Sequence, residues 1–263
     1  MLSFEHIRIN PKNPTMAWRQ LSSHCIQQRE RLPLSKKGIR IVCISDTHNI
    51  HQKLSIPAGD ILVHTGDATK GGRKEQLEAF WDWFSAQPFQ HKIFVAGNHD
   101  ITLDTPFYQK NWKRFHKKKE DLDDIKTLLE GYSDMIYLQD ESCIIDGLKF
   151  YGSPWQPTFF HWAFNADRDD SISKKWAAIP ADTDILLTHG PPLGYGDRCK
   201  TGLRAGCAHL LHEIMYRIQP KVHVFGHIHE AYGVTHNQQT QFVNAASCNL
   251  FYRYSQPPIV LDL

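Results

Sequence analysis

Several features common in other protein classes are missing from this sequence of 263 residues. No run reaches the roughly 18 apolar residues that a membrane helix needs. Met1 to His6 form no apolar segment of the kind found in secretory signals. The six cysteines contain no C-x-x-C pair, which argues against a zinc ribbon or a disulfide scaffold. We therefore expect a soluble cytoplasmic protein with free thiols and no membrane partner.

Strong charge of one sign is also missing. The chain has 30 Lys and Arg residues against 28 Asp and Glu residues, a net charge of +2. The basic run Lys117-Lys118-Lys119 is followed at once by an acidic stretch between Glu120 and Asp124. Proteins that track a long polyanion usually carry a basic stripe, so we expect no long nucleic-acid partner. The absence of a G-x-S-x-G elbow argues against a serine hydrolase.

Nearly continuous apolar runs predict buried strands along the chain. The runs cover residues 38–45, 60–65, 91–96, 184–188 and 222–225. Residues 74–87 place Leu77, Phe80, Trp81 and Phe84 at helical spacing, which indicates an amphipathic helix that packs on a sheet. Alternating strands and helices predict an α/β protein, whose ligands collect beyond the carboxyl ends of the strands.

The remaining elements fit one large domain, since the sequence contains no linker, repeat or low-complexity tract. A hairpin is predicted around Asp146-Gly147, helices at 122–129 and 210–218, and late strands at 232–235, 241–245 and 259–263. Residues 1–38 include a short amphipathic stretch around Met16 to Ile26. We interpret them as an N-terminal extension that lies on the domain or contacts a partner, which leaves 39–263 as the functional domain.

Each predicted buried strand ends in side chains that are able to bind a metal ion. The segments are Asp46-x-His48, Gly66-Asp67, Gly97-Asn98-His99-Asp100, His189 and Gly226-His227-x-His229. A single segment of this kind has an ordinary explanation in helix caps and turns, but five in succession do not. Carboxylate, amide and imidazole ligands without thiolate favour Mn²⁺, Fe or Zn²⁺ in five- or six-coordinate sites. Paired ions that share a carboxylate clamp the oxygens of a phosphoryl displacement.

The order D-x-H, G-D, G-N-H-D, H, G-H-x-H between Ile41 and His229 resembles the calcineurin-like metallophosphoesterase superfamily. Within it, the sequence is most similar to the phosphodiesterase subfamily of metallophosphoesterase-domain-containing proteins first noted in animal brain. The segments that carry this closer likeness are 42–48, 60–67, 137–140, 188–194, 222–230, 257–259 and 262–263. The resemblance implies a four-layer α/β/β/α sandwich of two mixed β-sheets flanked by helices.

The resemblance also implies a role for each motif residue. Asp46, His48 and His229 would hold the first metal ion, Asn98, His189 and His227 the second, and Asp67 would bridge them. His99 would protonate the leaving oxygen or stabilise the transition state, with Asp100 orienting its ring, and a metal-bridging hydroxide would attack. Some animal members lack the first histidine of G-H-x-H and are poor catalysts. This chain retains His227, so we expect two divalent ions (Mn²⁺, with Fe, Zn²⁺ or Mg²⁺ as alternatives) and an active enzyme.

The ligand set predicts a dinuclear metal-dependent phosphoesterase, and the resemblance to the subfamily implies a phosphodiesterase that hydrolyses small phosphodiesters such as cyclic nucleotides. The alternatives are a phosphomonoesterase or nuclease on the same metal core, and a weakly active metal-binding scaffold. The complete ligand set favours an enzyme over the scaffold.

Substrate contacts are harder to predict from the sequence. Asn98 and His99 would lie beside the phosphate. Lys200 and Arg204, in the loop from Asp197 to Gly206, would grip phosphate or nucleotide, or be solvated loop charges. Trp155 and Trp162 would belong to the core or form one wall of the substrate pocket.

Overall fold

A strand occurs within each of the five apolar runs of the sequence. The structure is a computed structural model, and it describes residues 1–22 and 38–263. The strands, labelled in chain order, are β1 Leu2–Phe4, β2 Ile7–Ile9, β3 Arg40–Ile44, β4 Ile61–Thr65, β5 His91–Val95, β6 Ile136–Tyr137, β7 Glu141–Ile145, β8 Leu148–Ser153, β9 Gln156–Pro157, β10 Asn165–Ala166, β11 Ile185–Thr188, β12 Val222–Phe225, β13 Gly233–His236, β14 Gln241–Asn244 and β15 Ile259–Asp262. The helices are α1 Pro14–Leu21, α2 Lys74–Ser85, α3 Thr105–Phe115, α4 Leu122–Glu130, α5 Asp170–Ala177 and α6 Ala208–Glu213. A π-helical turn over Ile214–Ile218 continues α6, and 3₁₀ turns cover His51–Lys53, Ile101–Leu103 and His229–Ala231.

Two mixed sheets form the centre of the fold. The five-stranded sheet has the order β15-β3-β4-β5-β6, and the six-stranded sheet has the order β13-β14-β12-β11-β8-β7. The inner strands of each sheet run parallel, whereas β15 and the outermost pairs β13–β14 and β7–β8 are antiparallel. Parallel strands end at the same edge of a sheet, so the loops that follow β3, β4, β5, β11 and β12 can meet there.

The two sheets pack face to face because apolar residues alternate along the strands. Ile41 of β3 and Val63 of β4 belong to the same buried cluster as Phe150, Ile185 and Val224 of the six-stranded sheet. All five side chains are fully buried. This shared apolar layer holds the two sets of strand ends in register with each other.

Helices cover the outer face of each sheet. Phe80 and Trp81 of α2 and Ile125 of α4 pack on Val42 and Phe94 of the five-stranded sheet. On the other side, residues of α5 and α6 pack on Leu186 and Phe242. The four-layer α/β/β/α architecture is therefore confirmed. In the described residues, no helix is long and apolar enough to cross a membrane.

The segment before residue 22 lies on the domain. β1 and β2 form an antiparallel hairpin, and the side chains of Phe4, Ile9, Trp18 and Leu21 join the cluster beneath α5 and α6. Helix α1 accounts for part of the amphipathic stretch predicted around Met16 to Ile26, and the rest of that stretch lies outside the described residues. The boundary at residue 38 stays a prediction.

Candidate metal centre

Five polar loops converge at the carboxyl edge of the two sheets. The loops after β3, β4 and β5 carry Asp46 and His48, Asp67, and Asn98 and His99. The loops after β11 and β12 carry His189, and His227 with His229. The predicted ligands are thus drawn from both sheets and meet across the sandwich. Groups of Asp and His atoms within 4.8 Å of one another occur here.

The first group consists of Asp46, His48 and His229, and all three are buried. Nε2 of His229 lies 3.2 Å from Oδ1 of Asp46 and 3.3 Å from Nε2 of His48. Nε2 of His48 lies 4.0 Å from the same carboxylate oxygen. The three atoms surround one point, as ligands of a single ion do.

The second group consists of Asp67, His189 and His227, with Asn98 beside it. Nε2 of His189 lies 3.4 Å from Oδ1 of Asp67 and 3.0 Å from Oδ1 of Asn98. The rings of His189 and His227 approach edge to face, with 5.0 Å between their centroids. An amide oxygen, a carboxylate oxygen and imidazole nitrogens therefore meet at a second point.

Asp67 lies between the two groups. Its Oδ1 faces His189 at 3.4 Å, and its Oδ2 faces His48 at 3.7 Å. The amide of His99 donates to Oδ1 at 2.7 Å and fixes the carboxylate in this orientation. A carboxylate that presents one oxygen to each group has the geometry that a bridging ligand requires.

Hydrogen bonds to carbonyl groups set the protonation of the imidazoles. Nδ1 of His48, His189 and His229 lies 2.9–3.2 Å from the carbonyl oxygens of Thr69, Thr65 and Asn249. A carbonyl oxygen only accepts, so each Nδ1 carries a proton, and a ring in its neutral form points an Nε2 lone pair into the centre. The lone pairs of His48 and His229 would repel each other at 3.3 Å. A proton or a metal ion must lie between them, so the residues fit a metal centre.

The pKa shifts of the buried carboxylates and of two of the histidines likewise indicate that the centre favours positive charge. Burial lowers the pKa of His189, but the charge of Asp67 and a hydrogen bond to it outweigh burial and raise the pKa to about 9. Burial likewise lowers the pKa of His229, and the hydrogen bond and charge of Asp46 reverse the effect. Burial dominates at His48 and His227, whose pKa values fall to about 3. Burial raises the pKa values of Asp46 and Asp67, yet the surrounding histidines bring both below their usual range.

The backbone around the centre is strained. Asp46, His48, Asp67 and His227 have φ values of 51°, 40°, 55° and 65°, in the left-handed region that is costly for residues with a side chain. Such conformations persist only where the surrounding structure holds them, and they cluster at functional sites. Gly226 makes the close approach possible, because a Cβ atom there would overlap the carboxylate of Asp46 and the hydroxyl of Ser45. The amide of His227 donates to that carboxylate at 3.0 and 3.1 Å.

The imidazole of His99 lies at the edge of the centre. Its Nε2 is 4.0 Å from Oδ2 of Asp67, and its Nδ1 donates to the carbonyl of Lys70 at 3.0 Å. The prediction that Asp100 orients this ring differs from the observed contacts. Asp100 is fully buried and accepts hydrogen bonds from the amides of Gly97, Ala68 and Thr69 and from the Thr69 hydroxyl. Its carboxylate pins the loops of β4 and β5 together, while the Lys70 carbonyl orients His99.

The guanidinium of Arg204, predicted to bind phosphate or to be a solvated loop charge, is engaged by other groups of the protein. It pairs with the fully buried carboxylate of Asp197, donates to the carbonyl of Gly194 at 2.9 Å and lies 4.8 Å from the ring of Trp18. These contacts leave the side chain of Arg204 15% exposed, so the alternative of a solvated loop charge is wrong. Lys200 has an exposed side chain, and its amide donates to Glu230, next to His229. A role for Lys200 in substrate binding stays a prediction.

Aromatic side chains surround the imidazoles on the solvent side. Trp162 stacks on His99 with 4.1 Å between centroids, whereas Trp155 donates to Asp140 and holds Lys175 over its ring. Two further aromatics were not predicted from the sequence. Tyr252 meets His48 edge to face at 4.6 Å, and Phe159 meets His227 at 5.3 Å. Their only signal in the sequence is the density of aromatic residues at 159–164 and 251–254.

The chain is similar in sequence to known proteins. Metallophosphoesterase domain-containing protein 1 of Homo sapiens is 42% identical over 233 residues, which cover 85% of this chain and 71% of the human protein. UPF0046 protein T07D4.2 of Caenorhabditis elegans is 36% identical over 269 residues, covering 96% of this chain and 68% of the worm protein. One crystal structure superimposes with a TM-score of 0.57 at 15% identity, over 85% of this chain and 98% of that one, and supports the fold alone.

The family model for calcineurin-like phosphoesterases matches residues 39–231. That range contains every residue of the two ligand groups, and it excludes the segment before residue 22. Membership implies a metal-dependent phosphoric ester hydrolase that binds divalent metal ions. On the combined grounds of the family model, the relatives and the geometry of the centre, this chain belongs to the calcineurin-like phosphoesterase family.

Proposed function

We propose that this protein is a dinuclear metal-dependent phosphodiesterase that hydrolyses small phosphodiesters, cyclic nucleotides among them. The observation that carries the proposal is the position of Asp67, whose two oxygens face His189 at 3.4 Å and His48 at 3.7 Å. With Asp67 shared, the first ion would be held by Asp46, His48 and His229, and the second by Asn98, His189 and His227. Mn²⁺ suits these ligands, as do Fe, Zn²⁺ and Mg²⁺.

Bound ions would supply Lewis acidity at the phosphoryl oxygens and lower the pKa of water. The protein residues would orient the ester and handle the proton. Nε2 of His99 faces the centre because Nδ1 is held by the Lys70 carbonyl. In its cationic form His99 would therefore donate a proton from Nε2 to the leaving oxygen. Trp162 packs on one face of the ring and limits its rotation.

The substrate is proposed to be small. The net charge of +2 gives no long-range attraction for an extended polyanion, and the aromatic residues around the centre suit a base or another planar group. A cytoplasmic location fits this substrate class.

The test measures hydrolysis of bis(p-nitrophenyl) phosphate and p-nitrophenyl phosphate by metal-stripped protein after Mn²⁺ is added back. We expect metal-dependent turnover of the diester, which falls by at least about a hundredfold in Asp67→Asn and His99→Asn. Asp60→Asn, on the opposite end of β4, is the matched control and should retain activity. Calorimetric titration of Mn²⁺ should give two sites in the wild type and weakened binding in Asp67→Asn alone.

Other outcomes would redirect the proposal. A preference for the monoester would indicate a phosphatase on the same centre. Two bound ions without turnover of either ester, or of 2′,3′- and 3′,5′-cyclic AMP, would contradict the enzymatic proposal and favour the scaffold alternative.

A further inference from the structure

A basic pocket lies directly beside the candidate metal centre. It encloses about 450 Å³. Its walls include Lys70, Arg73, Arg114, Phe115, His116 and Trp162. We call it the Arg114 pocket. None of the metal ligands assigned above lines it, so it is a separate feature of the surface next to His99.

Two wall residues of the pocket also hold His99. The carbonyl of Lys70 accepts the Nδ1 proton of His99 at 3.0 Å, and the indole of Trp162 stacks on the ring with an interplanar angle of 30°. Nε2, on the opposite side of the ring, faces Asp67. The Arg114 pocket and the metal centre therefore lie on either side of one imidazole ring. A substrate of nucleotide size could reach both.

The wall of the pocket carries three cations. Lys70, Arg73 and Arg114 line it, while no carboxylate does. Among the described residues, none of these three cations forms an ion pair. Arg114 donates to the carbonyl oxygens of Phe160 at 3.0 Å and His161 at 3.3 Å, which are neutral partners and leave its charge available. Arg73 also borders a neighbouring surface that carries Glu75 and Asp121, so Lys70 and Arg114 are the cations best placed to attract an anion. Such a concentration of positive charge favours an anionic ligand.

The walls add a surface for a planar or apolar group. Trp162 packs on Phe115 with 5.3 Å between centroids, and the guanidinium of Arg114 lies 5.4 Å from the Phe115 ring. These contacts fix the position of the arginine and reduce the entropy that it would lose on binding a ligand. Cations beside fixed aromatic rings are the features that bind phosphate groups of nucleotides and related esters.

We propose that the Arg114 pocket binds a second phosphate group, carried by the part of the substrate that leaves past His99. The inference rests on the proposed function, in which His99 protonates the leaving oxygen. A bond forms between phosphorus and a water oxygen, the bond from phosphorus to the leaving oxygen breaks, and that oxygen takes a proton. The second phosphate remains intact and serves for recognition only. The preferred substrates are therefore phosphodiesters that carry an additional phosphate monoester, in the manner of phosphorylated cyclic nucleotides.

The first experiment compares adenosine 2′,3′-cyclic phosphate with the same compound phosphorylated at the 5′ oxygen. The 2′ and 3′ oxygens both belong to the nucleoside. Whichever of them is the leaving oxygen, the leaving group therefore carries the 5′-phosphate. We expect the Mn²⁺-loaded wild type to hydrolyse the phosphorylated compound with a kcat/KM about tenfold higher. The difference should come from a lower KM, with kcat nearly unchanged. Lys70→Gln should reduce this ratio, and the double variant Lys70→Gln with Arg114→Gln should bring it close to one.

Two control variants distinguish the loss of positive charge in the pocket from a general effect on folding. Lys70→Arg retains the charge and should keep most of the preference. Lys113→Gln removes a neighbouring cation on the same helix as Arg114 that does not line the pocket, and it should leave both kcat/KM values as in the wild type. Lys70 gives the cleaner single variant, because only its backbone carbonyl contacts His99. Equal kcat/KM values for both substrates in the wild type would overturn the inference while the proposed function stands.

A second measurement does not depend on turnover. Calorimetry would compare the binding of adenosine 3′-monophosphate and adenosine 3′,5′-bisphosphate to the Mn²⁺-loaded protein. We expect the bisphosphate to bind about tenfold tighter in the wild type and no tighter in the double variant. If neither cyclic compound is hydrolysed but this difference in affinity persists, the proposed function is wrong and the assignment of the Arg114 pocket as a phosphate-binding site is supported. If the two ligands bind equally well to the wild type, the inference is wrong whether or not the enzyme is active.

Discussion

Nε2 of His64 lies 3.0 Å from Oγ1 of Thr47, in the buried layer beneath the metal centre. The other nitrogen of His64 accepts from the amide of Gly66 at 3.2 Å, so Nε2 carries the proton and donates to Thr47. The Thr47 hydroxyl in turn donates to the carbonyl of Ala68. Thr47 lies between Asp46 and His48, and Gly66 and Ala68 flank Asp67. One neutral imidazole therefore ties together the two loops that carry these three candidate ligands.

Replacing His64 should weaken metal binding without removing any ligand. His64→Leu leaves the buried amide of Gly66 without its partner, which we expect to cost about 1–3 kcal/mol of unfolding free energy. The loops would lose their common anchor, and metal affinity should fall by about 10–100-fold, as it does when residues behind metal ligands are changed. Urea denaturation of the metal-stripped protein and calorimetric titration with Mn²⁺ measure the two effects. His91→Leu, a less buried histidine on β5, is the control. An unchanged Mn²⁺ affinity in His64→Leu would show that the ligand loops are held by other contacts.

Gly226→Ala should disrupt the metal centre, although the substitution adds only one methyl group. The added methyl group would overlap the Asp46 carboxylate and the Ser45 hydroxyl, so Asp46 must shift from its position beside His229. We expect the Mn²⁺ site formed by Asp46, His48 and His229 to be lost, together with diester hydrolysis. Because backbone and buried side chains must shift, stability should also fall by about 1–3 kcal/mol.

The matched control for this substitution is Gly71→Ala, where the nearest atom to an added Cβ lies 3.8 Å away. This variant should fold with wild-type stability and bind two Mn²⁺ ions. Titration calorimetry and thermal denaturation of both variants give the comparison. Two full sites in Gly226→Ala would contradict the steric argument.

The residues of the candidate centre could be predicted because their signal is local. Asp46 and His48, or His227 and His229, are neighbours in sequence and directly follow a buried apolar run. The parallel arrangement of β3, β4, β5, β11 and β12 then brings the runs' ends together. The same runs predict an α/β protein with buried strands, whereas the sandwich of two sheets was expected from the resemblance to the calcineurin-like superfamily. Spacing therefore suffices to predict the α/β class and the residues that converge, but not the division of the strands into two sheets.

The surroundings of the centre depend on contacts between distant segments, which the sequence does not display. Arg204 was predicted to meet phosphate, but its partners include Trp18, in a segment outside the family match. Tyr252 reaches His48 through a left-handed backbone conformation, with φ of 54°, that no local pattern indicates. Asp100 follows His99 directly, yet the turn after β5 directs its carboxylate to backbone amides. Adjacency in sequence therefore did not predict which group orients His99.

The stability of the protein should fall on mild acidification, and His223 is one cause. Burial lowers the pKa of this histidine to about 3, while the unfolded chain binds a proton at the ordinary value near 6.5. Between these two values the unfolded state holds the proton and the folded state does not, so stability is lost as the pH falls below 6.5. At pH 5 the loss from one such residue is about 2 kcal/mol.

His223→Gln isolates this contribution. The variant should be less stable at pH 7, because the hydrogen bond of 2.7 Å between His223 and Thr188 is disturbed. Between pH 7 and pH 5, however, it should lose about 2 kcal/mol less than the wild type. Urea midpoints at both pH values, for metal-stripped protein, provide the measurement. Parallel losses in the two proteins would mean that His223 is protonated in the folded state.

Arg204 should matter for stability rather than for phosphate recognition. The Asp197 carboxylate that it pairs with is fully buried, and burial raises the pKa of Asp197 while the charge of Arg204 opposes the rise. The N-terminal segment also contacts the backbone of Arg204, because the amide of Arg204 donates a hydrogen bond to the hydroxyl of Thr15 at 2.9 Å. Removing the guanidinium leaves a buried carboxylate without its cation, which costs about 3–5 kcal/mol. We therefore expect Arg204→Ala to unfold at a markedly lower urea concentration, whereas Lys200→Ala, with an exposed side chain, should unfold like the wild type. KM for bis(p-nitrophenyl) phosphate separates the two roles: a folded Arg204→Ala protein with wild-type stability and a raised KM would restore the phosphate-binding role to this arginine.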